Sequence, residues 1–215
     1  MKKEILKLDK VSYKYKNSNY VLKDISYSFD TGKMYAIKGK SGSGKTTLLS
    51  LISGLETGYE GNITYNDEKL KNIDLDKYRS NNVGIVFQSY NLLPHLTAAE
   101  NIILSIDISG LKLENKKKRV IELMKSVGLS DSLADRKILT LSGGEQQRIA
   151  IARSLSYNPD VILADEPTGN LDKETEDEIL KIFSDLAHKK NKCVIIVTHS
   201  KNVCDSADKI YEIKK

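Results

Sequence analysis

The chain has 215 residues, which is long enough to bury one substantial hydrophobic core with a small inserted subdomain. Hydrophobic residues make up 40% and charged residues 29%, the balance of a soluble globular protein. The longest apolar runs are strand-length, well short of the roughly 18–20 residues that cross a bilayer, and no apolar signal segment follows the N-terminal lysines. We therefore expect a cytosolic protein.

The net charge is +5, and the one dense basic cluster is Lys116-Lys117-Lys118-Arg119. No aromatic residues alternate with it, as they do in single-strand binders, so we interpret it as the solvated face of a helix rather than a nucleic-acid site. The two cysteines, Cys193 and Cys204, do not form a disulfide framework, and we interpret them as a core residue and an incidental thiol.

The first third of the chain has the pattern of antiparallel β-structure. Apolar residues punctuate polar ones from Ile5 to Phe29, and Asp30-Thr31-Gly32 supplies a turn. A second strand region follows at residues 61–66. Together these segments predict an antiparallel β-layer at the N-terminus.

Four nearly continuous apolar runs predict strands that are buried on both faces, as in a parallel sheet flanked by helices. They cover residues 34–38, 83–87, 161–164 and 193–198. Each is followed by polar residues: Gly39 onward, Gln88, Asp165-Glu166 and His199. Because ligands of open α/β sheets bind beyond the carboxyl ends of the strands, we expect these four segments to converge on one edge.

Residues 95–140 are mostly helical in pattern. Apolar spacings of three and four predict helices at 98–108 and 115–127, and Gly110 and Gly128 interrupt them. This block breaks the succession of parallel strands. We predict one domain over residues 1–215, with a helical subdomain inserted at about 95–155.

A phosphate-binding loop is predicted between the strand at 34–38 and a helix at 46–53. The sequence there is Gly39-Lys40-Ser41-Gly42-Ser43-Gly44-Lys45-Thr46, which fits G-x-x-x-x-G-K-[ST]. Its glycines let backbone N–H groups surround phosphate oxygens, and the helix adds the positive end of its dipole. Lys45 is expected to reach the β- and γ-phosphates, and the Thr46 hydroxyl to ligate Mg²⁺. The expected nucleotide-binding residues here are Gly39, Ser41, Gly42, Ser43, Gly44, Lys45, Thr46 and Thr47.

Two carboxylates, Asp165 and Glu166, end the apolar run at 161–164. Asp165 is expected to hold Mg²⁺ through a water, and Glu166 to polarise the attacking water. Alone, an Asp-Glu pair after a strand is a weak signal and is more often part of a turn or a helix cap. The phosphate loop upstream favours the catalytic interpretation.

Gln88 and His199 follow the other two runs directly. A glutamine can ligate Mg²⁺ through its carbonyl oxygen and orient water through its amide, so Gln88 is a candidate for metal and nucleotide binding. His199 ends a strand of the same sheet, from which it can approach the γ-phosphate and Glu166. We predict catalytic roles for Lys45, Gln88, Glu166 and His199.

Ser142-Gly143-Gly144 precedes a helical pattern at 145–155 and predicts a second anion-binding helix N-terminus. A protein with one phosphate loop has no obvious need for another such site. A second subunit resolves this, because the Ser-Gly-Gly segment of one chain can close over the γ-phosphate held by the other, with C₂ symmetry.

The string at 141–148, Leu-Ser-Gly-Gly-Glu-Gln-Gln-Arg, lies between the phosphate loop and Asp165-Glu166. In this combination the chain resembles the ATP-binding cassette (ABC) ATPases, from about Tyr15 to His199. The resemblance implies ATP hydrolysis by a sandwich dimer, with ATP and Mg²⁺ as cofactors. It also implies an α/β fold of the P-loop NTPase class, with a mostly parallel core sheet, an N-terminal antiparallel β-layer and an inserted α-helical subdomain.

The resemblance implies two further nucleotide-site residues. In the family, the loop that reads Gly169-Asn170-Leu171-Asp172 here crosses the dimer interface, and Asp172 links the two sites. Tyr15 matches the aromatic position that stacks on adenine. Tyr13 stays open as the alternative, because alternate residues of a strand point to the same face.

The Gly169-Asn170 dipeptide and the segments at 83–88 and 91–101 resemble the branch of lipoprotein-release, macrolide or peptide export and cell-division ATPases. This implies an integral-membrane permease as partner, a place on the inner face of the cell membrane, and export or extraction of peptides, lipoproteins or hydrophobic compounds. A homodimer is chemically sufficient, although a heterodimer stays open. Because 16 residues follow His199, no regulatory C-terminal domain is expected.

Two other classes are less favoured. Soluble ABC ATPases that act on nucleic acid or ribosomes usually have long coiled-coil insertions or two cassettes, and this sequence has neither, so no nucleic-acid partner is expected. A phosphate-loop kinase has no use for the Ser-Gly-Gly segment.

Overall fold

The computed structural model describes residues 3–16 and 18–213. Their strands form one antiparallel and one parallel sheet. The strands are β1 (Glu4–Tyr13), β2 (Leu22–Asp30), β3 (Lys33–Lys38), β4 (Glu60–Tyr65), β5 (Glu68–Lys69), β6 (Val83–Val86), β7 (Val161–Asp165), β8 (Cys193–Thr198) and β9 (Lys209–Glu212).

The parallel sheet has the spatial order β6-β7-β8-β3-β9, and every neighbouring pair in it is parallel. Strands β6, β7, β8 and β3 are therefore adjacent, and the residues after each of them lie side by side at one edge. The antiparallel sheet has the order β2-β1-β4-β5 and contains the N-terminal strands.

The described residues form seven α-helices. They are α1 (Lys45–Ile52), α2 (Leu75–Asn81), α3 (Ala98–Ile108), α4 (Lys116–Ser126), α5 (Gly143–Ser154), α6 (Lys173–His188) and α7 (Lys201–Ser206). Short 3₁₀ turns cover Leu70–Asn72, Asp131–Leu133 and Ile138–Thr140. Capping boxes at Thr97 and Ser142 satisfy the first free N–H groups of α3 and α5 and thereby set where these helices begin.

Both faces of the parallel sheet are buried because its strands are apolar at successive positions. On β8, the side chains of Cys193, Ile195 and Val197 join the cluster that contains α1, α2 and the antiparallel sheet. Those of Val194 and Ile196 join the opposite cluster, which contains α3 to α7. The sheet is thus a rigid middle layer from whose edge the polar segments project.

The predicted parallel sheet, N-terminal antiparallel layer and helices α3–α5 are present in the structure, with small shifts at element ends. Helix α1 begins at Lys45 rather than residue 46, and α5 begins at Gly143 rather than residue 145, because Ser142 caps it. Strand β9 and helices α2, α6 and α7 were not predicted. The division at about 95–155 stays a prediction, since α3–α5 share one hydrophobic cluster with β6–β8.

None of the helices in the described part of the chain combines the length and the hydrophobicity needed to traverse a lipid bilayer.

Candidate active site

The phosphate loop joins β3 to α1, and Gly44 holds its last turn. Gly44 has a φ of +95°, and a Cβ there would lie 2.9 Å from Val21 Cγ1, so a larger residue is excluded both by conformation and by space. The Lys45 ammonium donates to the carbonyl oxygens of Gly39 at 2.9 Å and Lys40 at 3.3 Å. The Lys45 ammonium group is therefore held by main-chain carbonyl groups of the loop.

The end of β7 meets the start of α1 at Asp165 and Thr46. Thr46 Oγ1 donates to Asp165 Oδ2 at 3.0 Å. Burial raises the pKa of Asp165, and the hydrogen bond from Thr46 opposes that change. A hydroxyl and a carboxylate side by side, in a place that disfavours an uncompensated negative charge, suit a hard cation such as Mg²⁺.

No group of three or more His, Cys, Asp or Glu side chains within residues 3–16 and 18–213 could hold a metal ion by itself. A Mg²⁺ ion beside Thr46 and Asp165 would therefore take its remaining oxygen ligands from nucleotide phosphates and water, as is usual for this ion.

Glu166 is fixed by three hydrogen bonds from the end of β8. Its Oε2 accepts from Thr198 Oγ1 at 3.0 Å and from the His199 backbone N–H at 3.2 Å, and its Oε1 lies 2.8 Å from His199 Nδ1. The same Oε1 is 4.0 Å from Lys45 Nζ. Only 11% of the Glu166 side chain is exposed, whereas the His199 side chain is 71% exposed. The carboxylate is held firmly beside the lysine, and the histidine faces solvent.

The backbone of Glu166 has a φ of +44°, a conformation that a non-glycine residue adopts at some cost. The Glu166 N–H donates to Val197 O at 3.0 Å, and Gly169 N–H donates back to Glu166 O at 3.2 Å. These bonds turn the chain sharply after Asp165, so that two successive carboxylates point toward the phosphate loop.

Gln88 projects from the end of β6, next to β7, and its side chain is exposed. Its Nε2 lies 3.7 Å from the position that a Cβ on Gly169 would occupy. The glutamine amide is thus beside the loop that leads from Glu166 to Asp172.

Asp172 is the N-cap of α6. It accepts from the Thr175 backbone N–H at 2.9 Å and from Thr175 Oγ1 at 2.8 Å. The bond from the Thr175 backbone is the main reason why the pKa of Asp172 lies below its ordinary value, so this exposed carboxylate stays ionised.

The Ser142-Gly143-Gly144 turn is the start of α5. The Ser142 hydroxyl accepts from Glu145 N–H at 3.3 Å, and Glu145 Oε2 accepts from Ser142 N–H at 2.7 Å. Ser142 and Gly143 are exposed. A Cβ on Gly144 would lie 2.8 Å from Thr175 Cγ2, so this turn packs against the start of α6. No hydrogen bond in the described segments joins it to the phosphate loop.

The two tyrosines differ in burial although they are two residues apart. Tyr13 is the last residue of β1, is 7% exposed and donates to Glu56 Oε2 at 2.7 Å. Tyr15 lies beyond the strand, is 45% exposed and has its hydroxyl 3.0 Å from Thr47 Oγ1. The rings meet edge to face with centroids 5.1 Å apart. Tyr15 therefore offers a free ring face beside the phosphate loop, and Tyr13 does not.

Residues 22–169, most of the chain, match the family described as ABC transporter. This chain belongs to the ABC transporter family. It is an ATP-binding subunit of that family, and its enzymatic activity is ATP hydrolysis.

Relatives of this ABC cassette span nearly all of it. The uncharacterized ABC transporter ATP-binding protein YclH of Bacillus subtilis (strain 168) is 47% identical over 205 residues, which are 95% of this chain and 91% of YclH. The macrolide export ATP-binding/permease protein MacB of Aggregatibacter actinomycetemcomitans is 41% identical over 214 residues, which are 98% of this chain but 33% of MacB.

The solved dimer of the Methanocaldococcus jannaschii ABC transporter cassette MJ0796 superposes with a TM-score of 0.88 at 37% identity, covering 98% of this chain and 97% of that one. A second MJ0796 dimer, a post-hydrolysis state bound to ADP and Pi, gives a TM-score of 0.87 at 37% identity, with 98% and 94% covered.

The cassette also contains supporting residues that were not predicted. Thr198 is buried and orients Glu166, and its place directly before His199 at the strand end was the available signal. Glu176 Oε1 accepts from Thr168 Oγ1 at 3.1 Å and from Ser200 Oγ at 3.0 Å, and so ties the loops after β7 and β8 together. Nothing in the local sequence around Glu176 indicates this role, because its partners are distant along the chain.

Proposed function

We propose that two copies of this chain close around two ATP molecules and that this closure drives an integral-membrane permease. The carboxylate of Glu166, held by Thr198 and His199 at 4.0 Å from Lys45, is the observation on which the hydrolytic part of the proposal rests. It lies where a base can act on water beside a phosphate bound by the loop.

In this proposal Lys45 and the loop residues Gly39, Ser41, Gly42, Ser43, Gly44, Thr46 and Thr47 bind the phosphates. Tyr15 stacks on adenine with its free ring face. Thr46, Gln88 and Asp165 hold Mg²⁺, directly or through water, and when bound the ion neutralises charge on the β- and γ-phosphates. Gln88 also orients the attacking water through its amide.

Glu166 accepts a proton from the attacking water. At the same time the water oxygen forms a bond to the γ-phosphorus, and the bond between the γ-phosphorus and the oxygen that bridges it to the β-phosphate breaks. ADP and phosphate are the products. His199 holds the carboxylate through Nδ1, and its exposed ring can reach the phosphate. The first role rests on the 2.8 Å contact between Nδ1 and Glu166 Oε1, and the second on the exposure of the ring.

The second half of each site comes from the partner copy. Gly143 and Gly144 offer free N–H groups and Ser142 offers a hydroxyl at the start of α5, and none of the three makes a hydrogen bond to the phosphate loop of its own chain in the described part. Asp172 lies against this turn through Thr175 and links the two sites. The dimeric structures of MJ0796 support this arrangement.

The permease and its cargo are the finer part of the proposal. MacB is named an ATP-binding/permease protein for macrolide export, and its match to this chain covers 33% of its length, which supports a separate permease partner here. We propose a peripheral position on the inner face of the cell membrane and export or extraction of peptides, lipoproteins or hydrophobic compounds.

The test is an affinity purification of the Glu166→Gln chain from detergent-solubilised native membranes with MgATP, beside a Glu166→Gln/Lys45→Ala control that cannot bind ATP. We expect one integral-membrane protein to co-purify with the first chain and to be depleted in the control. If only ribosomes or nucleic acid co-purified, the chain would instead be a soluble ABC ATPase and the permease proposal would be wrong.

A further inference from the structure

The segment directly after Gln88 is held by hydrogen bonds from side chains of helices α3 and α5. Arg153, near the end of α5, donates from Nη1 to Asn91 O at 2.5 Å and from Nη2 to Tyr90 O at 2.8 Å. Tyr90 and Asn91 have φ values of +62° and +50°, so the main chain turns to present both carbonyl oxygens to one guanidinium. A planar fork of donors matches two adjacent acceptors in this way.

The guanidinium of Arg153 is partly buried, and burial lowers its pKa. No carboxylate in the described part of the chain forms an ion pair with it, and its guanidinium donates hydrogen bonds to the two carbonyl oxygens. A charge in such a place is costly unless it is fully hydrogen-bonded. The arrangement is therefore better explained by a positioning role than by a contribution to stability.

A second helix holds the other end of the same segment. Asn101 of α3 is 1% exposed. Its Oδ1 accepts from Leu93 N–H at 2.8 Å, and its Nδ2 donates to Leu93 O at 3.2 Å and to Thr97 O at 2.9 Å. The segment 90–93 is thus hydrogen-bonded at one end to α5 and at the other to α3.

Helix α5 also begins with the Ser142-Gly143-Gly144 turn, and Tyr90 reaches back toward it. A Cβ on Gly143 would lie 3.4 Å from the Tyr90 hydroxyl. Gly143 and Arg153 are ten residues apart on a helix, which is about 15 Å. Tyr90 therefore runs beside α5, with its carbonyl held by Arg153 and its hydroxyl near Gly143.

We propose that Arg153 is a positioning residue that makes the Gln88 segment and the Ser142–Gly144 turn one rigid unit, with Tyr90 as the connecting strut. The inference rests on the proposed dimer. In that dimer Gln88 belongs to the ATP site of its own phosphate loop, whereas the Ser-Gly-Gly turn of the same chain belongs to the opposite site. Nucleotide at one site then sets the position of the turn that completes the other.

The experiment separates ATP binding from ATP-driven dimerisation, using the full chain with Glu166→Gln as the parent. Arg153→Lys keeps the positive charge but loses the planar pair of N–H donors that binds the carbonyl oxygens of Tyr90 and Asn91. We expect MgATP affinity, measured with a fluorescent ATP analogue at protein concentrations too low for dimers, to stay within about twofold. We expect the dimer dissociation constant, measured by sedimentation in MgATP, to rise at least about tenfold.

Arg119→Lys is the matched control, because Arg119 also donates to a main-chain carbonyl at the end of α5, that of Leu155, at 3.4 Å, but does not contact segment 90–93. It should leave both constants near the parent values. Tyr90→Ala is a second test that leaves the guanidinium in place, and it should reproduce the split between binding and dimerisation.

Parallel losses of thermal stability and ATP affinity in both Arg153→Lys and Tyr90→Ala would mean a merely structural role and overturn the inference. Undiminished dimerisation in Arg153→Lys would also overturn it while leaving the proposed dimer intact. A parent chain that stays monomeric in MgATP would instead refute the dimer, and the inference with it.

Discussion

The phosphate-loop edge of the sheet and the Ser142–Gly144 turn are both proposed as anion-binding surfaces, but the chain provides its own partner groups only at the first. At the sheet edge, Lys45 and Thr46 from the start of α1 and Asp165, Glu166 and His199 from the ends of β7 and β8 are joined by hydrogen bonds or close ion contacts. At the turn, the serine satisfies only its own helix, and two residues are open to solvent. A surface with free donors and no internal partner is suited to a ligand presented by another molecule.

The two regions also differ in how the fold holds them. The sheet edge is built by strand order, so it is as rigid as the core beneath it. The turn is held through α5, which contacts the sheet edge by way of Tyr90 and Arg153 and the start of α6 by way of Gly144. We therefore expect changes at the sheet edge to affect chemistry and changes at the turn to affect assembly.

The largest effect is expected at the sheet edge. Glu166→Gln removes the base but keeps the size of the side chain, so kcat should fall by about 10²–10⁴-fold. MgATP binding should persist, because Lys45 and the loop are untouched. Steady-state phosphate release and a nucleotide-binding titration measure the two. Glu176→Gln is the control, since that carboxylate only ties loops together. Equal losses of kcat in Glu166→Gln and Glu176→Gln would contradict the role of Glu166 as the base.

At the turn, Gly144→Ala should lower ATP turnover about 100-fold, because a Cβ blocks close approach of a phosphate to the N–H groups. The same Cβ would also meet Thr175 Cγ2 at 2.8 Å within the chain. Thr175→Ser removes that methyl group while keeping the hydroxyl that bonds Asp172. The double variant should regain thermal stability but not activity. Full recovery of activity would show that the glycine serves only packing inside the chain.

A smaller effect is expected at the adenine position. Tyr15→Ala should weaken ATP binding about tenfold, the typical value of one lost stacking contact. Tyr13→Phe removes the hydroxyl that bonds Glu56 but keeps a buried ring, and should leave ATP affinity unchanged. Isothermal titration with ATP compares them. Unchanged ATP affinity in Tyr15→Ala would contradict the assignment of adenine stacking to Tyr15.

The smallest effect concerns Asp165 in the nucleotide-free chain. Its raised pKa means that its stabilising contribution is fully present below the ordinary value of 3.8 and is lost as pH rises through the raised pKa. Asp165→Asn does not titrate. It should therefore raise the melting temperature by a few degrees at about pH 7 and by less near pH 4. Equal shifts at all pH values would contradict the burial argument.

Sequence reasoning worked best where chemistry and local pattern coincide. The phosphate loop, Asp165-Glu166, Gln88 and His199 were placed at one edge because apolar strands precede them, and the structure brings them there. It worked less well for Tyr13 and Tyr15. Strand alternation put both on one face, but β1 ends at Tyr13, so only one ring is buried.

The sequence alone predicted the candidate site residues and the four central strands of the parallel sheet, because loop chemistry and apolar periodicity are local properties. Tertiary structure decided which of these segments and residues lie next to one another. Strand order β6-β7-β8-β3-β9, the parallel pairing of β9 with β3, the turn at Glu166 and the hold of Arg153 on Tyr90 all join residues far apart in the chain. Such pairings depend on how whole layers pack, and no local pattern encodes them.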